Sequence, residues 1–184
     1  MIDHALAFLR DELSSYLNEL YRLPDKAVLA APAQQGGAPM TDNVISIALV
    51  NIEPETALRN APPERLNSEE FQLQSPALKL NLKVLFATHF TDYAESLKFL
   101  TATLSFFQGR GVFTPQNSPR LKSFDRLVVE LEPTTYQEWS FLAGMFGTKH
   151  TPSAVYKVRM IIIQDGTVQK RPPVVRSVGT DLNR

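Results

Sequence analysis

The sequence predicts a single α+β domain in which a mixed or antiparallel sheet of about four strands packs with three helices. The chain has 184 residues, which is the usual length of one domain. Segments with helical and with strand-like hydrophobic periodicity follow one another in the order α-β-β-α-β-α-β. We expect this domain to span residues 1–164, and residues 165–184 to form a mobile or docking C-terminal tail.

The first helix is predicted by apolar residues that recur at three- and four-residue steps. These residues are Ile2, Leu6, Leu9, Leu13, Leu17 and Leu20. Asp3 is the expected N-cap, because a carboxylate suits the positive end of the helix dipole. Pro24 is expected to stop the helix, and residues 24–42 contain enough Pro and Gly to predict a long loop or arm.

Two early strands follow, separated by a Pro-containing connection at residues 54–76. Residues 43–53 are almost continuously apolar, which predicts a strand buried on both faces. Residues 78–84 alternate strictly, which predicts a half-exposed strand with Lys79, Asn81 and Lys83 in an outward row. Because outward Lys residues protect sheet edges, we expect an edge strand that could accept a strand from a partner.

The second half of the domain is predicted from caps and strand-like runs. Thr91 or Asp92 caps a second helix that ends at Gly109. Residues 126–131 alternate as a strand, and residues 154–164 are rich in β-branched and aromatic side chains. Between them, Thr135 and Glu138 have capping-box spacing and open a third helix that closes at Gly147.

Composition excludes several classes of protein. The 19 basic and 19 acidic residues cancel, which argues against a general nucleic-acid binder. The absence of cysteine excludes disulfide scaffolds, iron–sulfur sites and thiol nucleophiles. No apolar run approaches the ~20 residues of a membrane span, and the N-terminus does not have the pattern of a signal peptide. We therefore expect a soluble protein made in the cytoplasm, without nucleic-acid or membrane partners.

No catalytic, cofactor-binding or metal-binding set is predicted. Gly109 and Gly111 are spaced like the start of a dinucleotide fingerprint, but Thr114 replaces the third glycine and a helix precedes them. His4, His89 and His150 lack a second ligand at helical spacing. The sequence thus predicts neither an enzyme nor a cofactor.

The remaining pattern favours interaction with other proteins. The candidate interface residues are Lys79, Asn81, Lys83, Trp139, Arg171 and Arg176. Trp139 and Phe141 on the third helix could anchor a partner, because Trp is enriched at interface hot spots, or the single Trp could simply pack in the core. The two arginines belong to the tail, which has a net charge of +2.

Six segments stand out in order along the chain. They are MIDHALAFL at 1–9, IALVNIE at 47–53, LFA at 85–87, YAESLKFL at 93–100, FFQG at 106–109 and PSAVYKVRM at 152–160. Together these segments resemble the tail-terminator, or cap, proteins of extracellular contractile injection systems. The resemblance implies a small α/β architecture like that of phage tail terminators, without enzymatic activity or a cofactor. It also implies a homohexameric ring that docks on the inner tube and the contractile sheath and ends their polymerisation.

Further expectations follow from that resemblance. Such particles assemble in the cytoplasm, and we expect the protein then to be part of a released or intracellular contractile particle, which agrees with the lack of a signal-peptide pattern. We expect residues 79–86 to be the edge strand that pairs with an extended arm of the last sheath ring. The alternative is an assembly adaptor or chaperone of a phage-tail-like particle, which would not be retained in it.

Overall fold

Three helices and a six-stranded sheet form most of the described structure, a computed structural model. It describes residues 1–23, 26–31, 43–55, 73–74, 78–147, 151–163 and 168–170. The elements are α1 (Ile2–Tyr21), β1 (Ala27–Leu29), β2 (Val44–Pro54), β3 (Leu73–Gln74), β4 (Leu78–His89), α2 (Tyr93–Gly109), β5 (Val112–Phe113), β6 (Leu127–Leu131), α3 (Tyr136–Phe146), β7 (Ser153–Ile163) and β8 (Val168–Lys170). None of the helices in these ranges is long and apolar enough to cross a membrane.

The large sheet is mixed and has the strand order β1-β2-β4-β7-β6-β5. β1 runs parallel to β2, whereas β2 and β4, β5 and β6, and β6 and β7 pair antiparallel. The predicted α+β class with three helices is therefore confirmed. The sheet has more strands than the four predicted, because β1 and β5 are only three and two residues long and too short to show a periodic pattern.

The predicted position of β4 at the edge of the sheet is wrong. β4 lies between β2 and β7, and the edges of the described sheet are β1 and β5. The alternation of Lys79, Asn81 and Lys83 identified one face of the strand correctly. Alternation reports which side chains share a face, however, and it carries no information about how many neighbours the backbone has.

The main core lies on the face of the sheet that α1 and α2 cover. Leu82, Val84 and Phe86 of β4 are fully buried there. Aromatic rings interlock around Phe86, whose ring centroid lies 5.1 Å from that of Phe107 and 5.5 Å from that of Tyr156. A smaller apolar cluster lies on the opposite face, where Leu85 and Ala87 meet α3.

Caps account for most helix ends. Asp92 caps α2 by accepting a hydrogen bond from the amide of Ala94, and Thr135 forms the expected capping box with Glu138. The prediction that Asp3 caps α1 is wrong, because Met1 is the N-cap and Asp3 lies within the first turn. There its carboxylate accepts a hydrogen bond from the terminal ammonium, which lowers the pKa of Asp3.

The chain divides into two units, with residues 1–54 and 80–161 in one and residues 55–79 and 162–184 in the other. In the second unit, β3 pairs antiparallel with β8, which belongs to the expected tail. Residues 164–167 and 171–184 lie outside the described residues. The domain boundary near residue 164 and the mobile or docking role of the tail stay predictions.

Candidate interaction surface

The six candidate interface residues are placed unequally. Lys79, Asn81 and Lys83 share the face of β4 on which α3 packs, and Trp139 belongs to α3. Arg171 and Arg176 lie outside the described residues. The structure thus brings four of the six candidates to one face of the sheet.

Lys83 is the centre of an ion cluster on this face. Its Nζ atom lies 3.1 Å from Glu53 Oε1 and 3.1 Å from Glu132 Oε1, and Lys157 Nζ lies 4.0 Å from Glu53 Oε2. A bulge between Leu49 and Asn51 shifts the register of β2, so that the later residues Asn51 and Glu53 face the same side as Lys83. The hydrogen bonds that Lys83 donates to Glu132 and, less strongly, to Glu53 raise the pKa of Lys83. The Lys83 ammonium therefore forms ion pairs within the chain and is not an isolated surface charge.

Asn81 is buried, with 4% of its surface exposed, and it stands opposite Glu53 in the register of β2 and β4. The expectation that it points outward to a partner is wrong. The cause is that the other side of this strand is also covered, so alternation here separates two packed environments instead of core from solvent.

Trp139 packs against the smaller apolar cluster together with Leu142 and Phe146, above Leu85 and Val155. Its side chain is partly buried in this contact. The structure therefore places Trp139 in the packing between α3 and the sheet, which was the second of the two interpretations of this residue. Its packing holds α3 against β4 and β7.

An apolar groove opens beside this helix. Phe141 was expected as a possible anchor, but the groove itself was not predicted. Phe141 and Met145 line it while remaining 68% and 62% exposed, and Val50 and Val155 line it from the sheet. Its volume is about 210 Å³. A signal was present in the sequence: Phe141 and Met145 are four residues apart and follow a different helical stripe from Trp139, Leu142 and Phe146. A helix that is apolar on two sides indicates two contact surfaces.

The rim of the groove carries a fixed negative charge. Glu138 Oε2 accepts hydrogen bonds from the backbone amide and the hydroxyl of Thr135, at 2.7 Å and 2.8 Å. These bonds lower the pKa of Glu138, the backbone bond most strongly, so the carboxylate is ionised at neutral pH. Glu132 and Lys83 also line the groove. An apolar slot with an ordered carboxylate at its rim can bind an apolar side chain that has a cation beside it.

No catalytic chemistry is assembled in the part of the chain that the structure describes. His89 is buried and its Nε2 atom lies 2.8 Å from Ser46 Oγ. Burial lowers the pKa of this imidazole, and no carboxylate is recorded in contact with it among the described residues. Within the same residues, no group of three His, Cys, Asp or Glu side chains could hold a metal ion.

Comparison with known proteins gives a family and a fold. The Pvc16 N-terminal domain model matches residues 4–177. The PVC sheath/tube terminator of an extracellular contractile injection system, in its extended state, aligns over 100% of this chain and 64% of its own length, with 13% identity and a TM-score of 0.68. The tube-terminating cap of the anti-feeding prophage aligns over 98% of this chain and 60% of its own length, with 16% identity and a TM-score of 0.65.

The chain thus spans less than two thirds of the length of either solved relative. At these identities the two structures show that the fold is shared. No curated protein matches the sequence significantly.

Proposed function

Because the chain belongs to the Pvc16 N-terminal domain family, as its sequence resemblance predicted, we propose that it is the terminator of a contractile injection particle. In this role six copies form a ring on the end of the tube and sheath and stop their polymerisation. The particle would be assembled in the cytoplasm and the ring would remain part of it.

The observation that carries this proposal is the agreement between family and fold over nearly the whole chain. The family match covers residues 4–177, and both solved relatives, one a sheath/tube terminator and the other a tube-terminating cap, share its fold. These relatives are terminator and cap proteins and not enzymes, which agrees with the prediction of a non-enzymatic role.

The surface chemistry supports a role in assembly. A closed ring with rotational symmetry needs two different patches on each subunit, one for each neighbour. Termination additionally needs a face that binds the last ring and an opposite face that offers no further binding site. The α3 groove is our candidate for one of the two patches that face a neighbouring subunit. It is lined by Val50, Phe141, Leu142, Met145 and Val155, with Lys83, Glu132 and Glu138 near its rim.

Quantitative mass spectrometry of purified particles tests this function against the chaperone alternative. A terminator is expected at about six copies per particle, at a constant ratio to the components of the baseplate. A protein that helps assembly and then leaves would be absent from finished particles, and that outcome would refute the terminator role.

The solution mass of the purified chain tests whether the ring forms before docking. Light scattering of a preformed hexamer would give about 124 kDa, six times the chain mass of 20.6 kDa. A 20.6 kDa species would mean that the tube end templates the ring. A stable two-fold dimer would contradict the proposal, since each copy's binding patch would be covered by the other copy.

A further inference from the structure

We propose that the α3 groove of one subunit receives the end of α1 from a neighbouring copy of the chain. The α1 end consists of Leu20, Arg22 and Leu23. This inference rests on the proposed ring, because it names the two patches through which neighbouring subunits would meet. It assigns the groove to self-assembly and leaves other surfaces for the tube and sheath.

The α1 end is an exposed apolar feature with a charge at its centre. Leu20 and Leu23 are 49% and 39% exposed, which leaves both side chains able to contact another molecule. Arg22 is the C-cap of α1 and has left-handed backbone geometry, with φ of 55°. Its amide donates to the carbonyl of Asn18, so the backbone that presents the two leucines is fixed at this point.

The groove and the α1 end belong to elements on opposite faces of the sheet. α1 packs in the main core with Leu82 and Val84, whereas α3 packs on Leu85 and Ala87. Odd- and even-numbered residues of a strand point to opposite faces. Two different patches on opposite sides of a subunit produce head-to-tail contacts, which close into a ring when the rotation between neighbours allows it.

The size of the groove suits a single large apolar side chain. Its volume is about 210 Å³, and an apolar cavity of about 150 Å³ is enough to hold benzene. One leucine of the α1 end therefore fits, with the second leucine covering the exposed part of Phe141. Burying Phe141 and Met145, which are 68% and 62% exposed, supplies the hydrophobic gain.

The two patches offer one pair of opposite charges. Near the groove, the carboxylates of Glu132 and Glu138 outnumber the ammonium of Lys83. In the sequence of the opposite patch, residues 18–26, the basic residues Arg22 and Lys26 are balanced by the acidic residues Glu19 and Asp25, so the feature that matches the groove is the guanidinium of Arg22 beside Leu23. Asp25 lies outside the described residues. Insertion of a leucine would bring Arg22 towards the carboxylate that Thr135 holds in place.

Disulfide cross-linking tests this pairing cleanly, because the chain has no cysteine of its own. Met145→Cys and Leu23→Cys proteins would be mixed under a mild oxidant such as diamide, and the initial rate of mixed-disulfide formation measured. The matched control replaces Met145→Cys by Tyr136→Cys, because Tyr136 is also on α3 but is 95% exposed and does not line the groove.

We expect the groove pair, Met145→Cys with Leu23→Cys, to cross-link at least tenfold faster than the control pair, Tyr136→Cys with Leu23→Cys. Adding Arg22→Glu to the Leu23→Cys protein should slow the groove pair several-fold, whereas Lys122→Glu, an exposed change elsewhere, should leave its rate unchanged. Equal rates for the groove and control pairs, in variants shown to be folded by circular dichroism, would overturn the inference.

The outcome is separable from that of the proposed function. A chain that is present at six copies per particle but shows no preference in cross-linking would keep its terminator role and lose this interface. A chain that cross-links selectively but is absent from particles would keep the interface and lose the terminator role.

Discussion

The ion cluster around Lys83 leads to a quantitative prediction about stability. In the Lys83→Met protein the aliphatic stem is conserved while the ammonium is lost, so that Glu53 and Glu132 keep their positions without their common partner. Lys83 makes two contacts of 3.1 Å, and its side chain and that of Glu132 are 23% and 25% exposed. Lys157, 4.0 Å from Glu53, compensates only in part.

The expected loss lies between those of an exposed and a buried interaction. Exposed ion pairs contribute about 0.2–1 kcal/mol, and hydrogen bonds to charged groups about 1.5–3 kcal/mol. For this half-buried pair of contacts we expect the free energy of unfolding to fall by about 2 kcal/mol. With a urea dependence of about 2 kcal/mol per molar, the midpoint of urea unfolding at pH 7 shifts down by about 1 M.

The contribution of Lys83 to the free energy of unfolding should be fully present at neutral pH, so the midpoints can be compared there. The pKa of Lys83 is raised above its ordinary value of 10.5, so its contribution is complete below that pH and is lost as the pH rises through the raised value. Lys79→Met is the matched control, since Lys79 lies on the same face of β4 and no ion pair of its side chain is recorded within the described ranges. Equal midpoints for Lys83→Met and the unmodified chain would refute the reasoning.

Three further predictions concern other parts of the same face. Burial lowers the pKa of His89, so the free energy of unfolding should decrease as the pH falls below about 6.5. His89→Gln should remove this pH dependence, whereas the control His4→Gln, at an exposed position, should keep it. Thr135→Ala removes the capping box and should cost about 1 kcal/mol, seen as faster amide exchange within α3 alone; a uniform change over the whole chain would contradict this. Asn81→Pro removes a ladder donor from a central strand and should prevent folding as judged by circular dichroism, and a stable, folded protein would contradict the central position of β4.

The sequence predicted most of the local structure, with the N-cap of α1 as an exception, since Met1 and not Asp3 holds that position. Asp92 and the Thr135–Glu138 pair were correctly assigned, because a cap depends on residues within one helical turn. Helical spacing and alternation likewise identified the three helices and the faces of β4. These features depend on the spacing of apolar residues along the sequence, which is visible without a structure.

The order of the strands depends on long-range pairing, and this was mispredicted. β4 shows the pattern of a half-exposed strand, yet it pairs with β2 on one side and neighbours β7 on the other. The reason is that Lys83 is matched by two carboxylates from outside β4, that of Glu53 on β2 and that of Glu132 just after β6. A lysine compensated in this way is compatible with the middle of a sheet, and nothing within β4 itself reveals its partners.

The interaction surface was only partly predictable. Trp139 was a candidate interface residue because it is the single tryptophan, but its side chain packs against the sheet. Phe141 was named beside Trp139 as a possible anchor and does stay exposed. Met145 and the groove itself were not predicted, because the groove also needs Val50 and Val155 from distant strands. A pocket formed by α3 and residues of three separate strands has no signature in any one segment.

The central claim, that this chain terminates a tube and sheath, is tested most directly by following polymer length. Tube and sheath proteins of the same particle would be assembled with and without the purified chain, and lengths measured by negative-stain electron microscopy, with the chain carrying a gold label. We predict that the chain arrests elongation and that the label lies at one end of each polymer. An unchanged length distribution, with no label at the ends, would contradict the claim.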